Sequence, residues 1–175
     1  MRWRAILLSL SLLILPCLEA RQSRSPNRWK DFEFLLGNWT WTGGGVPGQG
    51  KGISTFRPDL AGTVLVRNTH LDYPATKERP AFTHDDLLYV YHHPEDNSLR
   101  AIFFDGQEHV ILYRVTVRIS EVEFLSEAAP DGTRCRMTYR RGVGDSVIEK
   151  FEIAPREKPT EFVTYVEFMA TRVSK

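Results

Sequence analysis

Beyond residue 37 the chain alternates apolar and polar side chains with the period of two that belongs to β-strands, and clusters of Gly, Pro, Asp and Asn interrupt it at short intervals. The alternation predicts strands over 38–46, 49–57, 62–73, 82–92, 98–104, 108–117, 119–126, 133–140, 145–154 and 160–173. Separators such as Val46-Pro47-Gly48, Asp105-Gly106, Pro130-Asp131-Gly132 and Gly142-Val143-Gly144 carry residues that permit positive φ or forbid continued pairing. Ten strands joined by short connections make an antiparallel meander. A sheet that long curls, and closure into a barrel removes its two exposed edges. The predicted fold is therefore all-β: an antiparallel, up-and-down, closed barrel of about ten strands.

Several strands can be oriented. In 133–140 Cys135, Met137 and Tyr139 interleave with Arg134, Arg136, Thr138 and Arg140, which points the first set inward. In the last strand Phe162, Thr164, Val166, Phe168 and Ala170 share the inner face, and in 145–154 Val147, Glu149, Phe151 and Ile153 do. Strands 62–73 and 108–117 carry apolar residues on both faces, and alternation does not orient them. Ahead of the strands, apolar residues at 29, 32, 35 and 36 predict a short amphipathic helix over 29–36, stopped by Gly37.

The first twenty residues read differently. Arg2 and Arg4 precede an apolar run over 5–15, and Leu18-Glu19-Ala20 offers a small residue for cleavage, the pattern of a secretory signal peptide. The run is shorter than the ~20 residues a spanning helix needs, so no integral membrane span is expected after cleavage. The expected location is secreted or periplasmic; acylation of Cys17 is a minor alternative, disfavoured by Pro16. Residues 21–28 form a polar lead-in, and 29–175 the barrel domain.

Composition narrows the partners. The 175 residues carry 23 Lys+Arg against 22 Asp+Glu, and removing residues 1–20 leaves 21 of each. A neutral chain has no surplus of cations for a phosphate backbone, which argues against a nucleic-acid partner. Cys135 would be the sole remaining cysteine, so stability is expected from packing without a disulfide. The composition specifies no oligomeric state.

The run Phe32-Glu33-Phe34-Leu35-Leu36-Gly37-Asn38-Trp39, a short helix leading into Gly-x-Trp at the first strand, resembles the calycin superfamily of lipocalins, fatty-acid-binding proteins and nitrobindin-like barrels. The ten-strand count and Ala101-Ile102-Phe103-Phe104-Asp105-Gly106 are most similar to small secreted bacterial calycin-like proteins. The resemblance covers residues 30–173. It implies that Trp39 packs across the closed end under a basic side chain of the last strand, here Arg172, which shares parity with Phe168 and Ala170. Gly37, Trp39 and Arg172 are thus structural. Nitrobindin-like domains hold haem through a histidine near the C-terminus; residues 165–172 contain none, so haem is disfavoured and no cofactor is expected. The lipocalin pattern of eight strands and disulfides is absent, and Val46-Pro47-Gly48 is too short for the capping helices of fatty-acid-binding proteins.

Other constellations have plainer readings. The stretch 45–52 approaches a phosphate-binding loop, but Gly52 replaces the hydroxyl and a strand follows, so it is read as a glycine-rich hairpin whose missing side chains relieve crowding at a bend. Within 82–92, His84, Asp86 and His92 share a face, yet His84 and His92 lie roughly 27 Å apart along an extended strand, so no metal site is predicted. Asn38-Trp39-Thr40 matches a glycosylation acceptor only incidentally. Glu149 and Tyr139 are the sharper pair, because an inward carboxylate costs several kcal/mol unless paired, hydrogen-bonded or wetted.

The resulting expectation is an exported barrel that holds a small, partly apolar molecule in its lumen. Tyr139, Glu149 and Thr164 are expected to line it, with His84 and Asp86 near the mouth. The alternatives are a barrel enzyme of isomerase or lyase type using Glu149 for proton transfer, and a packed interaction module with a filled interior.

Overall fold

The computed structural model describes residues 27–173. The expected signal peptide, Cys17 and most of the lead-in lie outside them. Ten strands follow: β1 (Gly37–Gly45), β2 (Gly48–Asp59), β3 (Val64–Tyr73), β4 (Phe82–His92), β5 (Leu99–Asp105), β6 (Val110–Arg118), β7 (Glu121–Ser126), β8 (Arg134–Arg141), β9 (Ser146–Ala154) and β10 (Val163–Arg172). Each pairs antiparallel with its chain neighbours, and β1 pairs with β10 from Trp39↔Arg172 to Gly45↔Val166, closing the barrel. No strand keeps a row of unpaired N–H and C=O groups along a free edge.

In such a meander the β1–β2, β3–β4, β5–β6, β7–β8 and β9–β10 connections gather at one rim, and the remaining connections lie at the other with the N-terminal segment. The second rim is plugged. Trp29, Phe32, Phe34 and Leu35 are each buried there, and each fully buried side chain of this size contributes about 1.5–3 kcal/mol.

The segment that forms this plug corrects the expected helix over 29–36. It is a single 3₁₀ turn, Lys30–Phe32, inside a run of i→i+3 hydrogen bonds in which the N–H groups of Phe32, Glu33, Leu35 and Leu36 donate to the carbonyls three residues earlier. With three residues per turn, positions 29, 32 and 35 stack on one side. Trp29, Phe32 and Leu35 therefore enter the barrel end together, which a 3.6-residue helix would fan apart. Trp29 Nε1–H also donates to the carbonyl of Gly62 at 3.0 Å, tying the plug to the β2–β3 connection.

Trp39 lies across this closed end with Arg172 above it, the guanidinium carbon 4.3 Å from the ring centroid. Arg172 donates to the carbonyls of Phe34, at 3.0 Å, and Leu36, while Trp39 Nε1–H donates to Leu35 at 2.7 Å. One cation thus satisfies carbonyls of the turns and covers the indole face. Gly37, expected as a helix stop, instead opens β1 at φ 124°, and a Cβ there would stand 2.7 Å from Arg172 Nη1.

The β1–β2 hairpin, paired without interruption from Gly37↔Phe56 to Gly45↔Gly48, is crowded by the strands on either side. A Cβ on Gly52 would run into the His70 carbonyl and stand 2.8 Å from the Cα of Leu71; one on Gly43 would stand 2.6 Å from the Cα of Phe168. The glycines let neighbouring backbones approach more closely than any side chain permits.

The face assigned to the start of the last strand is also corrected. The β9–β10 register runs Val163↔Ile153, Thr164↔Glu152, then Val166↔Phe151, with Tyr165 as an extra residue. This bulge breaks the alternation. Val166, Phe168 and Ala170 keep the inner face, but Thr164 pairs with outward Glu152 and is exposed. Thr164 does not line the lumen.

Candidate functional site

The closed half of the barrel is filled by side chains: Trp41, Phe56, Leu65, Leu88, Val90, Val122 and Phe124 are all buried. The half facing the other rim is not. A cavity of about 420 Å³ opens there, with Leu71, Phe103, Ile111, Met137, Phe151 and Phe168 among its walls. Pro47, Arg79, Gln107 and His109, from connections of the open rim, stand at its mouth.

Its floor is a charged cluster built around Arg67. This residue is on β3, one of the two strands that alternation leaves unoriented; its side chain is 3% exposed and enters the lumen between β2 and β4. Arg67 Nη2 meets Asp86 Oδ1 of β4 at 2.5 Å, and Nη1 meets Glu149 Oε1 of β9 at 2.9 Å. Tyr139 of β8 lies directly opposite Glu149 in the register and donates its hydroxyl to the same Oε1 at 2.7 Å. Arg67 Nη1 also contacts that hydroxyl. The Tyr139 ring rests edge-on against Phe56 and Phe124, with centroids 5.4 and 5.9 Å away, so the packed half of the barrel holds it in place. His84, two residues from Asp86 on the same face, brings Nε2 within 3.6 Å of Asp86 Oδ2.

The sequence-derived residues therefore divide. Tyr139, Glu149, Asp86 and His84 converge on one floor and wall, with Asp86 deep in the cluster and not at the mouth; Thr164 is outside. Arg67, the hub, was not anticipated. A signal for it existed in the other parity of the strand: Asn68, His70 and Asp72 make a more polar face than Leu65, Thr69, Leu71 and Tyr73, which turns Arg67 inward. His92 occupies the far end of β4, its ring 5.7 Å from Trp29 at the plug. Among the described residues no group of three His, Cys, Asp or Glu side chains is placed to hold a metal ion.

The electrostatics follow from burying two carboxylates against one guanidinium. Burial opposes the charge on Arg67, but attraction to Asp86 and Glu149 outweighs it and holds the pKa above the ordinary arginine value. For Glu149 burial is the largest influence and raises the carboxyl pKa; the charge of Asp86 adds to it and Arg67 opposes it. The Glu149 side chain is 15% exposed, and that surface faces the cavity. His84 is raised by its contact with Asp86. Burial likewise raises the Cys135 thiol, which keeps it protonated and unreactive on the cavity wall.

The Glu149 shift has a measurable consequence. The folded protein retains a proton that the unfolded chain releases near pH 4.5, so this group's contribution to stability is full below that value and is lost as pH rises through the folded pKa. Urea titrations of wild type and Glu149→Gln between pH 4 and 8 are expected to show the variant gaining on the wild type as pH rises. A constant difference across that range contradicts the assignment.

Four buried polar atoms of residues that line the cavity have no hydrogen-bond partner among the described residues: Arg67 Nε, Thr69 Oγ1 and Tyr113 Oη toward its floor, and Arg79 Nε at its mouth. Buried polar groups are almost always satisfied, so the residues around this cavity retain unused hydrogen-bonding capacity. The site offers a charge cluster closed on itself at the bottom, apolar walls and a charged mouth.

The chain matches no protein-family profile, and no curated protein is similar to it in sequence. The closed ten-strand antiparallel barrel fits a calycin-like fold. Among the described residues no helix is long and apolar enough to cross a membrane.

Proposed function

We propose that the protein is an exported calycin-like barrel that carries a small, partly apolar molecule in its lumen. The observation that supports this most directly is the half-filled interior. Packing is complete on one side of the Arg67–Glu149–Tyr139 layer, while a cavity of about 420 Å³ lies on the other, with four unpartnered buried polar atoms among its lining residues. A cavity of this size with apolar walls and a few convergent polar groups has the form of a small-molecule site. The cationic start and apolar run of residues 2–15 support export.

Native mass spectrometry on the protein purified from its own host tests both halves of the reading. The folded protein is expected to exceed its denatured mass by one stoichiometric, non-covalent adduct, and the denatured mass to lack residues 1–20. Ile111→Trp, which fills the lumen from its wall, is expected to lose the adduct. Equal native and denatured masses for the wild type contradict a carried ligand, and a denatured mass that includes residues 1–20 contradicts cleavage.

A further inference from the structure

The two arginines that line the cavity are not equivalent. Arg67 is neutralised by Asp86 and Glu149 on the floor. Arg79 stands at the mouth, on the β3–β4 connection, and among the described residues it joins no carboxylate; other arginines share that, Arg114 and Arg140 among them, but of the two on the cavity only Arg67 is paired. Its Nε is buried without a hydrogen-bond partner.

Arg79 is nonetheless held in place. The Thr76 N–H donates to the Arg79 carbonyl at 2.8 Å, closing the turn that presents the residue. The guanidinium lies 4.4 Å from the centroid of Phe82, and Phe82 stacks on Tyr73 at 4.5 Å with an interplanar angle of 2°. Phe82 and Tyr73 both line the cavity. On the far side, a Cβ on Gly48 would stand 3.3 Å from Arg79 Nη2, so the glycine leaves room for the guanidinium to reach across toward the β1–β2 connection. A planar cation laid on an aromatic stack, its terminal nitrogens joined to no carboxylate among the described residues, is arranged to take an anion in a forked hydrogen bond.

We infer that Arg79 is an anion-recognising residue at the mouth, and that the ligand is an anionic amphiphile that enters apolar end first. This rests on the lumen-binding reading above and adds the ligand's class and direction. The floor argues for the same direction. An anionic headgroup there would compete with Asp86 and Glu149 for a single guanidinium that both already engage, in a site where desolvation is costly. The floor, whose guanidinium is already matched by Asp86 and Glu149, instead suits an uncharged end.

Decanoate, decan-1-ol and decylammonium, which share a chain and differ in headgroup charge, distinguish the cases by displacement of the neutral fluorophore N-phenyl-1-naphthylamine at pH 7 and low salt. In the wild type decanoate is expected to bind roughly tenfold more tightly than decan-1-ol, as for a charge-assisted pair at a partly shielded site, with decylammonium weakest. Arg79→Gln is expected to bring the decanoate-to-decanol ratio to about one. Arg79→Lys, which keeps the charge and loses the fork, should retain part of it. Circular dichroism melts confirm that the variants remain folded. An advantage for decanoate that survives in Arg79→Gln, no advantage in the wild type, or tightest binding of decylammonium each overturns the assignment while leaving the lumen site intact. Failure of the fluorophore and all three compounds to bind removes the lumen site itself, and the inference with it.

Discussion

Arg67→Met is expected to destabilise the barrel by about 3–5 kcal/mol, because it removes the one cation from a buried cluster and leaves two carboxylates uncompensated. The side chains of Arg67 and Asp86 are 3% and 5% exposed, so bulk water cannot take over the lost pairing. The size of the penalty comes mostly from what is left behind and not from the pair itself. Two further results follow. Adding Asp86→Asn and Glu149→Gln to Arg67→Met is expected to recover more than half of the loss, since the remaining groups are then neutral. Lowering the pH should also narrow the gap between wild type and Arg67→Met, because protonation discharges the orphaned carboxylates. Urea unfolding at pH 7 and pH 5 measures all three effects. A loss under about 1 kcal/mol at pH 7 contradicts an electrostatically closed floor.

Trp39→Ala is expected to cost a similar amount, about 3–5 kcal/mol, for a different reason. Trp39 is 1% exposed and forms the inner surface of the plug. Its removal opens a cavity beneath Arg172 and leaves the carbonyl of Leu35 without the indole donor. Arg172→Ala removes the cation over the ring and the donors to Phe34 and Leu36, at about 2–3 kcal/mol. Because the two residues share one contact, the double variant should fall short of the sum by about 1 kcal/mol. Additivity within about 0.3 kcal/mol shows that the ring and guanidinium do not interact. The plug lies at the opposite end from the cavity, so these variants lower stability without altering the lumen's lining.

Much of this architecture was legible before the fold. The placement of Trp39 under Arg172 was implied by the resemblance to calycin barrels, and strand parity picked Arg172 as the basic residue that matches. Tyr139 and Glu149 were legible for the same reason: each lies in a strand whose opposite face is plainly polar, and adjacent strands of a meander bring equal parities together. Arg67 was obscured because β3 carries Val64 and Val66 on its outer face, where the barrel's outer surface is itself partly apolar. Thr164 was misplaced by a single extra residue, Tyr165, and an insertion of one reverses every assignment on its far side. The N-terminal turn was misread because a period of three and a period of 3.6 differ little over eight residues.

The sequence by itself determined the number of strands, their order, the closure and the inward residues of the strands with clear alternation, because hydrophobic alternation and turn residues act locally, over a few positions at a time. Only the tertiary structure decided where the interior stops being filled and which charges meet there. Whether a lumen is packed or hollow depends on how side chains from ten strands share one volume, and whether a buried carboxylate is paired depends on a cation 82 positions away on another strand. Neither quantity has a local signature in the chain. The pairing of Arg67 on the floor and the unpaired Arg79 at the mouth, which together give the cavity its polarity, therefore emerge only in the folded barrel.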